Sequence, residues 1–330
     1  MVTLDVHRRL HPQMAEALAR SDALSAEFGP VARDDIALRR AAYAHERGFW
    51  NAASVHGLAA TEDVVVEAAG LLTPLRRYLP HEALPGAALV YLHGGGFVVG
   101  SLDTHDRIMR LLARHTGVAV IGVGYALAPE TKCPRQLEQI AAAIEQLPAR
   151  FGLDLARIAV AGDSAGAHLA LAATLGLRDR GGVRPVALLL YYGSYGLRDS
   201  ASRRLYGGPW DGLTEEELAF YRQCYLRGPD DERDPRYDLL AADLAGTPPC
   251  FIAACALDPL QDDSRALAAL LEEQGTPAEL RVYDGVLHGF LHLSRMVDVS
   301  MRAIDDGARF LRVWLEPRRA DVLADPAHGP

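Results

Sequence analysis

The sequence predicts an α/β fold in which helices cover both faces of a mostly parallel central sheet. Short apolar runs, such as residues 87–92, 117–123 and 158–162, alternate with helical patterns of ten or more residues. These runs are apolar at almost every position, which is typical of parallel strands that are buried on both faces. Hydrophobic residues make up 49% of the 330-residue chain, so a large buried core can form.

The composition narrows the classes of partner and the cellular location. The formal net charge is −9 at pH 7 and no cluster of Lys and Arg offsets it, so we expect neither nucleic acid nor an anionic membrane surface as partner. Residues 1–20 lack the apolar core of a signal peptide, and no run approaches the length of a membrane span. We therefore expect a cytoplasmic protein. The four cysteines have no C-x-x-C spacing and are interpreted as reduced, buried thiols; they are Cys133, Cys224, Cys250 and Cys255.

The first part of the chain is predicted to be helical and the next part to alternate. Residues 1–60 show helical spacing with a break at Gly29-Pro30, and we expect these helices to contribute to a cap. Residues 61–192 are expected to form most of the α/β core. Its predicted strands are residues 64–66, 75–79, 87–92, 117–123, 158–162 and 186–192, and its predicted helices are 104–115, 137–147 and one that begins after Ser164.

The alternation lapses over residues 193–247, where arginines, glycines and acids dominate. This segment is predicted to be a cap insertion over the sheet, with one helix opened by a capping box of Thr214 and Glu217. Residues 248–316 are expected to complete the core, and residues 317–330 to be a loose tail. The predicted elements of this last part are strands at 249–256 and 279–283 and helices at 263–274 and 299–315.

A G-x-S-x-G motif lies where the strand 158–162 changes into a helix. Its fixed positions are Gly162, Ser164 and Gly166, with Asp163 and Ala165 between them. A serine at so sharp a turn has a strained backbone, and its neighbours at ±2 must lack side chains. The turn exposes the hydroxyl above the sheet and leaves the amide of Ala165 available to an oxyanion at a helix N-terminus. The alternative is that Ser164 only caps the helix.

A nucleophilic serine needs a histidine to take its proton and a carboxylate behind the histidine. Asp258 follows the strand 249–256 and His288 follows the last predicted strand. The rival acids Asp262 and Asp263 are expected at a helix N-cap. The rival base His292 lies in a more helical segment, and His168 is expected to be a core histidine.

The run from His93 to Gly96 follows the strand 87–92 and has three consecutive glycines. A dinucleotide-binding loop is disfavoured, because the third glycine of that motif falls on Val99 and no acid lies between Asp106 and Glu130. The amides of Gly94, Gly95 and Gly96 are instead predicted to share an oxyanion with Ala165. Neither H-E-x-x-H nor zinc-finger spacing is present, so we expect no metal.

Taken together, the motifs resemble the hormone-sensitive-lipase-like branch of the α/β hydrolases, and within it the bacterial acetyl esterases. The similar runs include His93-Gly94-Gly95-Gly96, Gly162-Asp163-Ser164-Ala165-Gly166, Asp258-Pro259-Leu260, His288-Gly289-Phe290, Ser101–Arg107, Tyr195–Ser200 and Gly207–Gly212. The resemblance covers residues 60–315. It implies an α/β-hydrolase fold with a helical cap, Ser164 as nucleophile with Asp258 and His288, and hydrolysis of short-chain acyl esters without a cofactor.

The chain departs from this family in the segment Gly124–Glu130. The family usually has Asp-Tyr-Arg-Leu-Ala-Pro-Glu, whereas Gly124 and Ala126 replace both charged residues here. Because the two charges are lost together, we interpret them as a structural pair and not as catalytic groups. Their loss is expected to affect the stability of the loop beneath the site.

The sequence thus predicts a serine carboxylesterase for acetyl to butyryl esters, with a small-molecule ester as its partner. Two rival functions use the same fold: a small-molecule-binding or regulatory protein without catalysis, and an amidase or peptidase. The first would normally show a broken triad, and the second differs only in its substrate.

Overall fold

A computed structural model describes residues 4–315 of the chain. Its centre is one sheet of eight strands in the order β1-β2-β4-β3-β5-β6-β7-β8. The strand β2 is antiparallel to both of its neighbours, β1 and β4. All the other pairings, from β4 through to β8, are parallel. The strands are β1 (Leu58–Ala68), β2 (Leu71–Pro80), β3 (Ala88–Leu92), β4 (Ala119–Val123), β5 (Ile158–Asp163), β6 (Leu188–Tyr191), β7 (Cys250–Cys255) and β8 (Ala278–Tyr283).

Helices lie before, between and after these strands. The helices are α1 (Pro12–Phe28), α2 (Ile36–Asn51), α3 (Asp106–Thr116), α4 (Arg135–Phe151), α5 (Ala165–Asp179), α6 (Ala201–Tyr206), α7 (Glu215–Tyr225), α8 (Gln261–Glu273) and α9 (Asp298–Leu315). The predicted α/β fold class is therefore confirmed. The predicted tail, residues 317–330, lies outside the described residues.

The central strands are buried on both faces because alternate side chains enter two different hydrophobic clusters. On β3, Val90 and Leu92 pack with the apolar residues of α4 and α5, whereas Leu89 and Tyr91 pack with those of α3 and α9. All five residues of β3 and all five of β4 are buried. Because both faces of these strands are buried, their sequences are apolar at almost every position.

Several element boundaries differ from the predicted ones. The first two strands form a longer hairpin than expected, since β1 begins at Leu58 and pairs with β2 as far as Pro80. The helix α8 begins at Gln261, two residues before the predicted start, and its N-cap position is occupied by Leu260. The helix α7 begins as predicted, because the Thr214 hydroxyl accepts a hydrogen bond from the amide of Glu217 at 3.2 Å.

The order of the strands fixes where a site can form. The strand β3 lies between β4 and β5, so the chain leaves β3 toward one side of the sheet and later returns to the other side. In such sheets, ligands bind in the crevice beyond the carboxyl ends of the strands at this reversal. The glycine run follows β3 and Ser164 follows β5, and both therefore lie at this crevice.

All four cysteines are buried and none of them forms a disulfide, which agrees with the interpretation of the sequence. Among the described residues, no helix combines the length and the apolar character needed to cross a bilayer.

Candidate active site

Ser164 is the turn residue between β5 and α5. Its backbone has φ 54° and ψ −122°, a left-handed conformation that is costly for any residue other than glycine. A side chain at Gly162 would come within 2.3 Å of the backbone of Gly166, and one at Gly166 within 2.0 Å of the Leu92 carbonyl oxygen. Both glycines are therefore required by close backbone contacts, as the motif predicted.

The Ser164 hydroxyl points toward His288 and not toward the helix. It makes no capping hydrogen bond to α5, and its Oγ lies 2.8 Å from His288 Nε2. The alternative in which Ser164 only caps a helix is thus contradicted. On the other side of the ring, His288 Nδ1 lies 2.8 Å from Asp258 Oδ2.

The Asp258 carboxylate is fixed by the turn in which it lies. It is fully buried, and its Oδ1 accepts the N–H of Leu260 at 2.8 Å. The other oxygen is then directed at His288, so the imidazole is held in one orientation. The structure thus brings together Ser164, Asp258 and His288. Along the chain, His288 is 124 positions from Ser164 and 30 positions from Asp258.

The rival residues lie elsewhere and have other partners. His292 Nε2 is 3.9 Å from Asp163 Oδ2 and 3.5 Å from the Tyr43 hydroxyl. His168 is buried, its Nδ1 lies 2.9 Å from the Ser194 carbonyl oxygen, and burial lowers its pKa to about 4. It is a core histidine, as expected.

The expectation that Asp262 and Asp263 cap α8 is wrong. Both lie in its first turn, and their carboxylates bind the segment that follows β6. Asp262 accepts the N–H of Ser202 at 2.8 Å. Asp263 is fully buried, and its Oδ1 accepts three successive amides, those of residues 195, 196 and 197, at 2.7, 3.1 and 3.2 Å.

The glycine run after β3 folds over the N-terminus of α5. A side chain at Gly95, which has φ 120°, would come within 2.3 Å of the Val99 carbonyl oxygen, and one at Gly96 within 2.5 Å of the Tyr221 ring. The N–H of Gly94 already donates to Asp163 Oδ1 at 2.9 Å. Among the described residues, none accepts a hydrogen bond from the amides of Gly95, Gly96 or Ala165. Of the four amides that the sequence predicts to bind an oxyanion, that of Gly94 already has an acceptor within the protein.

Asp163, which was predicted only as a supporting residue of the motif, lies in a buried polar cluster beneath this loop. Its Oδ1 also accepts the Tyr91 hydroxyl at 2.7 Å, and His105 Nε2 is 3.4 Å away. Burial raises the pKa of Asp163, but His105, His292 and the Tyr91 hydrogen bond together hold it below its ordinary value. Asp163 is therefore a buried carboxylate that stays ionised directly beside Ser164.

Possible metal ligands in the described part of the chain meet in the same cluster. His105, Asp163 and His292 have ligand atoms within 4.8 Å of one another. The carboxylate is already engaged by Gly94 and Tyr91, so the arrangement is that of a hydrogen-bonded network. The absence of a metal from the reaction stays a prediction.

His93 stabilises the loop from below. It is buried and stacks on Tyr125 at a ring separation of 4.3 Å, and the Tyr125 hydroxyl donates to the His93 carbonyl at 2.7 Å. Burial lowers the pKa of His93 to about 3. His93 is therefore a neutral packing residue of the loop.

The segment Gly124–Glu130 keeps its place without the two charges that the family usually has. The amide of Ala126 donates to the Gln139 side chain at 2.8 Å, and that of Gly124 to the Pro74 carbonyl at 2.8 Å. Arg40 of α2 reaches the segment from above and binds both the Ala128 carbonyl and Glu130. These polar contacts occupy the backbone groups of the loop.

A cavity of about 430 Å³ opens above Ser164 and His288. One wall comes from α2, through Arg39, Tyr43 and Arg47, and another from residues 194–222. The two walls are joined by Arg39 of α2 and Glu217 of α7, at 2.6 Å. No signal in either segment alone could have predicted this pair.

Comparison with known proteins decides the family. The family model described as α/β hydrolase fold matches residues 89–292, which include Ser164, Asp258 and His288. The chain belongs to the α/β-hydrolase family. An acetyl esterase of Salmonella paratyphi B is 47% identical to this α/β hydrolase over 293 residues, covering 86% of this chain and 89% of the relative.

Solved structures give the same picture. An esterase from the archaeon Pyrobaculum calidifontis is 31% identical, with a TM-score of 0.85, and the match covers 92% of this hydrolase and 98% of that esterase. A thermostable carboxylesterase cloned from a metagenomic library is 33% identical, with a TM-score of 0.82, over 86% of this chain and 98% of the other. The resemblance to bacterial α/β hydrolases of the acetyl esterase kind is confirmed.

Proposed function

We propose that this α/β hydrolase is a serine carboxylesterase that cleaves short-chain acyl esters through an acyl-enzyme. The observation that carries the proposal is the continuous chain of contacts from Ser164 Oγ to His288 and from His288 to Asp258, each 2.8 Å long. A binding protein without catalysis has no need for such a chain at a strained backbone turn.

In the proposed first half-reaction, Ser164 Oγ attacks the ester carbonyl carbon. The hydroxyl proton passes to His288 Nε2, and Asp258 stabilises the resulting imidazolium through Nδ1–H. Collapse of the tetrahedral intermediate breaks the bond to the alcohol, which leaves with the proton held by His288. In the second half-reaction water takes the place of Ser164 as nucleophile and releases the acid.

The negative charge on the carbonyl oxygen needs preorganised donors. We assign this role to the amides of Gly95, Gly96 and Ala165, which have no acceptor among the described residues. We give Gly94 a positioning role instead, since its N–H is bound by Asp163. The stacked and buried His93 supports the same loop.

We further propose that residues up to about 60 and residues 193–247 together form the cap. Side chains of both segments line the cavity over Ser164, and many of them are arginines and tyrosines. Each methylene placed in an apolar pocket contributes about 0.8 kcal/mol, so a long apolar tunnel would favour long acyl chains. A polar wall close to the nucleophile favours acetyl to butyryl chains instead.

The test is hydrolysis of p-nitrophenyl esters with acyl chains of two to twelve carbons by the wild-type protein and by Ser164→Ala. We expect the alanine variant to lose a factor on the order of 10³ or more in kcat while its unfolding curve stays close to that of the wild type. An organophosphate should label one serine, in the peptide that contains Ser164. An active alanine variant would refute the assignment of the nucleophile, and a rate maximum at eight carbons or beyond would refute the short pocket.

A further inference from the structure

Arg203 is a buried cation on the cap side of the cavity. It lies in the short helix α6, its side chain is only 7% exposed, and it lines the same cavity as Ser164. Its Nε is buried and has no hydrogen-bond acceptor among the described residues. A guanidinium has five N–H donors in a fixed plane, and leaving them without acceptors in a buried place is costly.

The nearest carboxylates neutralise Arg203 only in part. Asp263 Oδ2 is 3.5 Å from one terminal nitrogen and Glu215 is 3.7 Å from the other, both beyond good hydrogen-bond length. Asp263 uses its other oxygen for three backbone amides, and its Oδ2 has no hydrogen bond. Neither carboxylate therefore makes a short hydrogen bond to the guanidinium of Arg203, which lines the cavity.

Two further arginines extend the positive wall. Arg198 and Arg222 also line the cavity, and both pair with the same carboxylate, Glu232, at 3.1 and 3.3 Å. Neither Glu232 nor Asp263 lines the cavity. Three arginines thus line this wall, whereas the carboxylates paired with them do not line the cavity.

Arg39, on the α2 side of the cavity, is an arginine whose charge is paired within the protein. Arg39 binds both oxygens of Glu217, at 3.3 and 2.6 Å, and Glu217 itself lines the cavity. The pair is closed, and its charges cancel within the cavity. Arg39 thus has a carboxylate of the protein as its close partner, whereas Arg203 has none within good hydrogen-bond distance.

We propose that Arg203, assisted by Arg198 and Arg222, binds a carboxylate carried by the ester substrate. The inference rests on the proposed ester hydrolysis and names its substrate class: small esters with a free carboxylate, either on the acyl part or on the alcohol part. A carboxylate matches the guanidinium fork in geometry and charge, and it would give the two terminal nitrogens closer acceptors than Glu215 and Asp263 provide. In a protein with a net charge of −9, a local group of arginines would raise the concentration of an anionic substrate at the site.

The experiment uses two pairs of nearly isosteric esters, each with one charged and one neutral member. On the acyl side, monoethyl succinate is compared with ethyl levulinate. On the alcohol side, 4-acetoxybenzoate is compared with 4-acetoxyacetophenone. The readout is the ratio of kcat/KM for the charged member to that for the neutral member, measured by acid release in the wild-type protein and in Arg203→Gln.

We expect the ratio to fall at least tenfold in Arg203→Gln for one of the two pairs, mainly through KM, and to recover in part in Arg203→Lys. Arg204→Gln is the matched control, because Arg204 is the next residue of the same helix, is 61% exposed and pairs with Asp199. It should leave the ratio as in the wild type. Because the neutral member is measured on the same protein, a general loss of folding cancels in the ratio.

The outcomes separate this inference from the proposed function. A ratio that is unchanged in Arg203→Gln for both pairs would overturn the carboxylate site, including the case in which both members lose activity equally. Hydrolysis of p-nitrophenyl acetate would leave the esterase assignment standing in that case. A wild-type protein that hydrolyses none of these esters would overturn the proposed function and, with it, the substrate class.

Discussion

Replacing Asp263 with alanine removes the acceptor of three backbone N–H groups at once. These belong to residues 195–197, near the start of the segment 193–247 that we propose as part of the cap. A buried donor left without a partner costs about 1–3 kcal/mol. Tyr195 is fully buried and its two successors are half-buried, so we take the lower value for each and expect a loss of about 3 kcal/mol in the free energy of unfolding. The measurement is urea denaturation at pH 7.

Two variants control for other effects of this change. Asp262→Ala removes a neighbouring carboxylate of the same helix turn that accepts only one N–H, that of the buried Ser202, so with the same value per donor we expect a loss of about 1 kcal/mol. Asp263→Asn keeps an oxygen acceptor for the three amides and should lose less than half as much as the alanine variant. If Asp263→Ala loses no more than Asp262→Ala, the three hydrogen bonds do not hold the cap segment in the way described.

The remaining predictions concern the backbone, the two histidines and pH. Gly166→Ala should abolish esterase activity and reduce the folded fraction, because its Cβ would lie 2.0 Å from a backbone carbonyl, whereas Gly176→Ala in the same helix has open space and should gain up to about 1 kcal/mol in unfolding free energy; equal behaviour of the two would refute the close contact. His288→Ala should lower kcat for p-nitrophenyl acetate by a factor on the order of 10³ and His292→Ala by less than tenfold, and the reverse ranking would move the base to His292. Burial raises the pKa of Asp263 to about 6, against about 3.9 in an unfolded chain, so the folded state binds more protons between these values. The free energy of unfolding should therefore fall by about 2 kcal/mol as the pH rises from 4 to 7 in the wild type relative to Asp263→Asn, and identical pH profiles would show that Asp263 titrates normally.

The sequence could predict that Ser164, Asp258 and His288 come together, because each follows a strand in a turn that local residues identify. Gly162 and Gly166 identify the turn at Ser164, and the strand ends place Asp258 and His288 at the same edge of the sheet. Hydrophobic patterns along the chain predict where strands end, and in a parallel sheet the residues that follow the strand ends lie at one edge.

Contacts between distant segments could not be predicted in this way. The role of Asp263 depends on a loop that lies 66–68 positions earlier in the chain, and local preference favoured an N-cap instead. The bond from Gly94 to Asp163 likewise spans 69 positions. Since neither partner carries a pattern that names the other, only the folded structure shows which amide remains free for an oxyanion and which is already bound.

The buried aspartates Asp163 and Asp263 both accept hydrogen bonds from loop backbone, but their pKa values shift in opposite directions. Each accepts amides of an irregular loop that has no strand or helix to pair with, one at the glycine run and the other at the start of the cap segment. Histidine neighbours and a tyrosine hydroxyl offset the burial of Asp163 and keep its pKa low, whereas Asp263 has a distant arginine and a pKa of about 6. The carboxylate beneath the oxyanion loop therefore stays ionised at any pH near neutral, while the one that holds the cap segment changes its charge just below it. Lowering the pH from 7 to 5 should therefore leave Asp163 ionised and add a proton to Asp263, and because the folded state binds that proton more tightly than the unfolded chain does, this protonation should raise the free energy of unfolding.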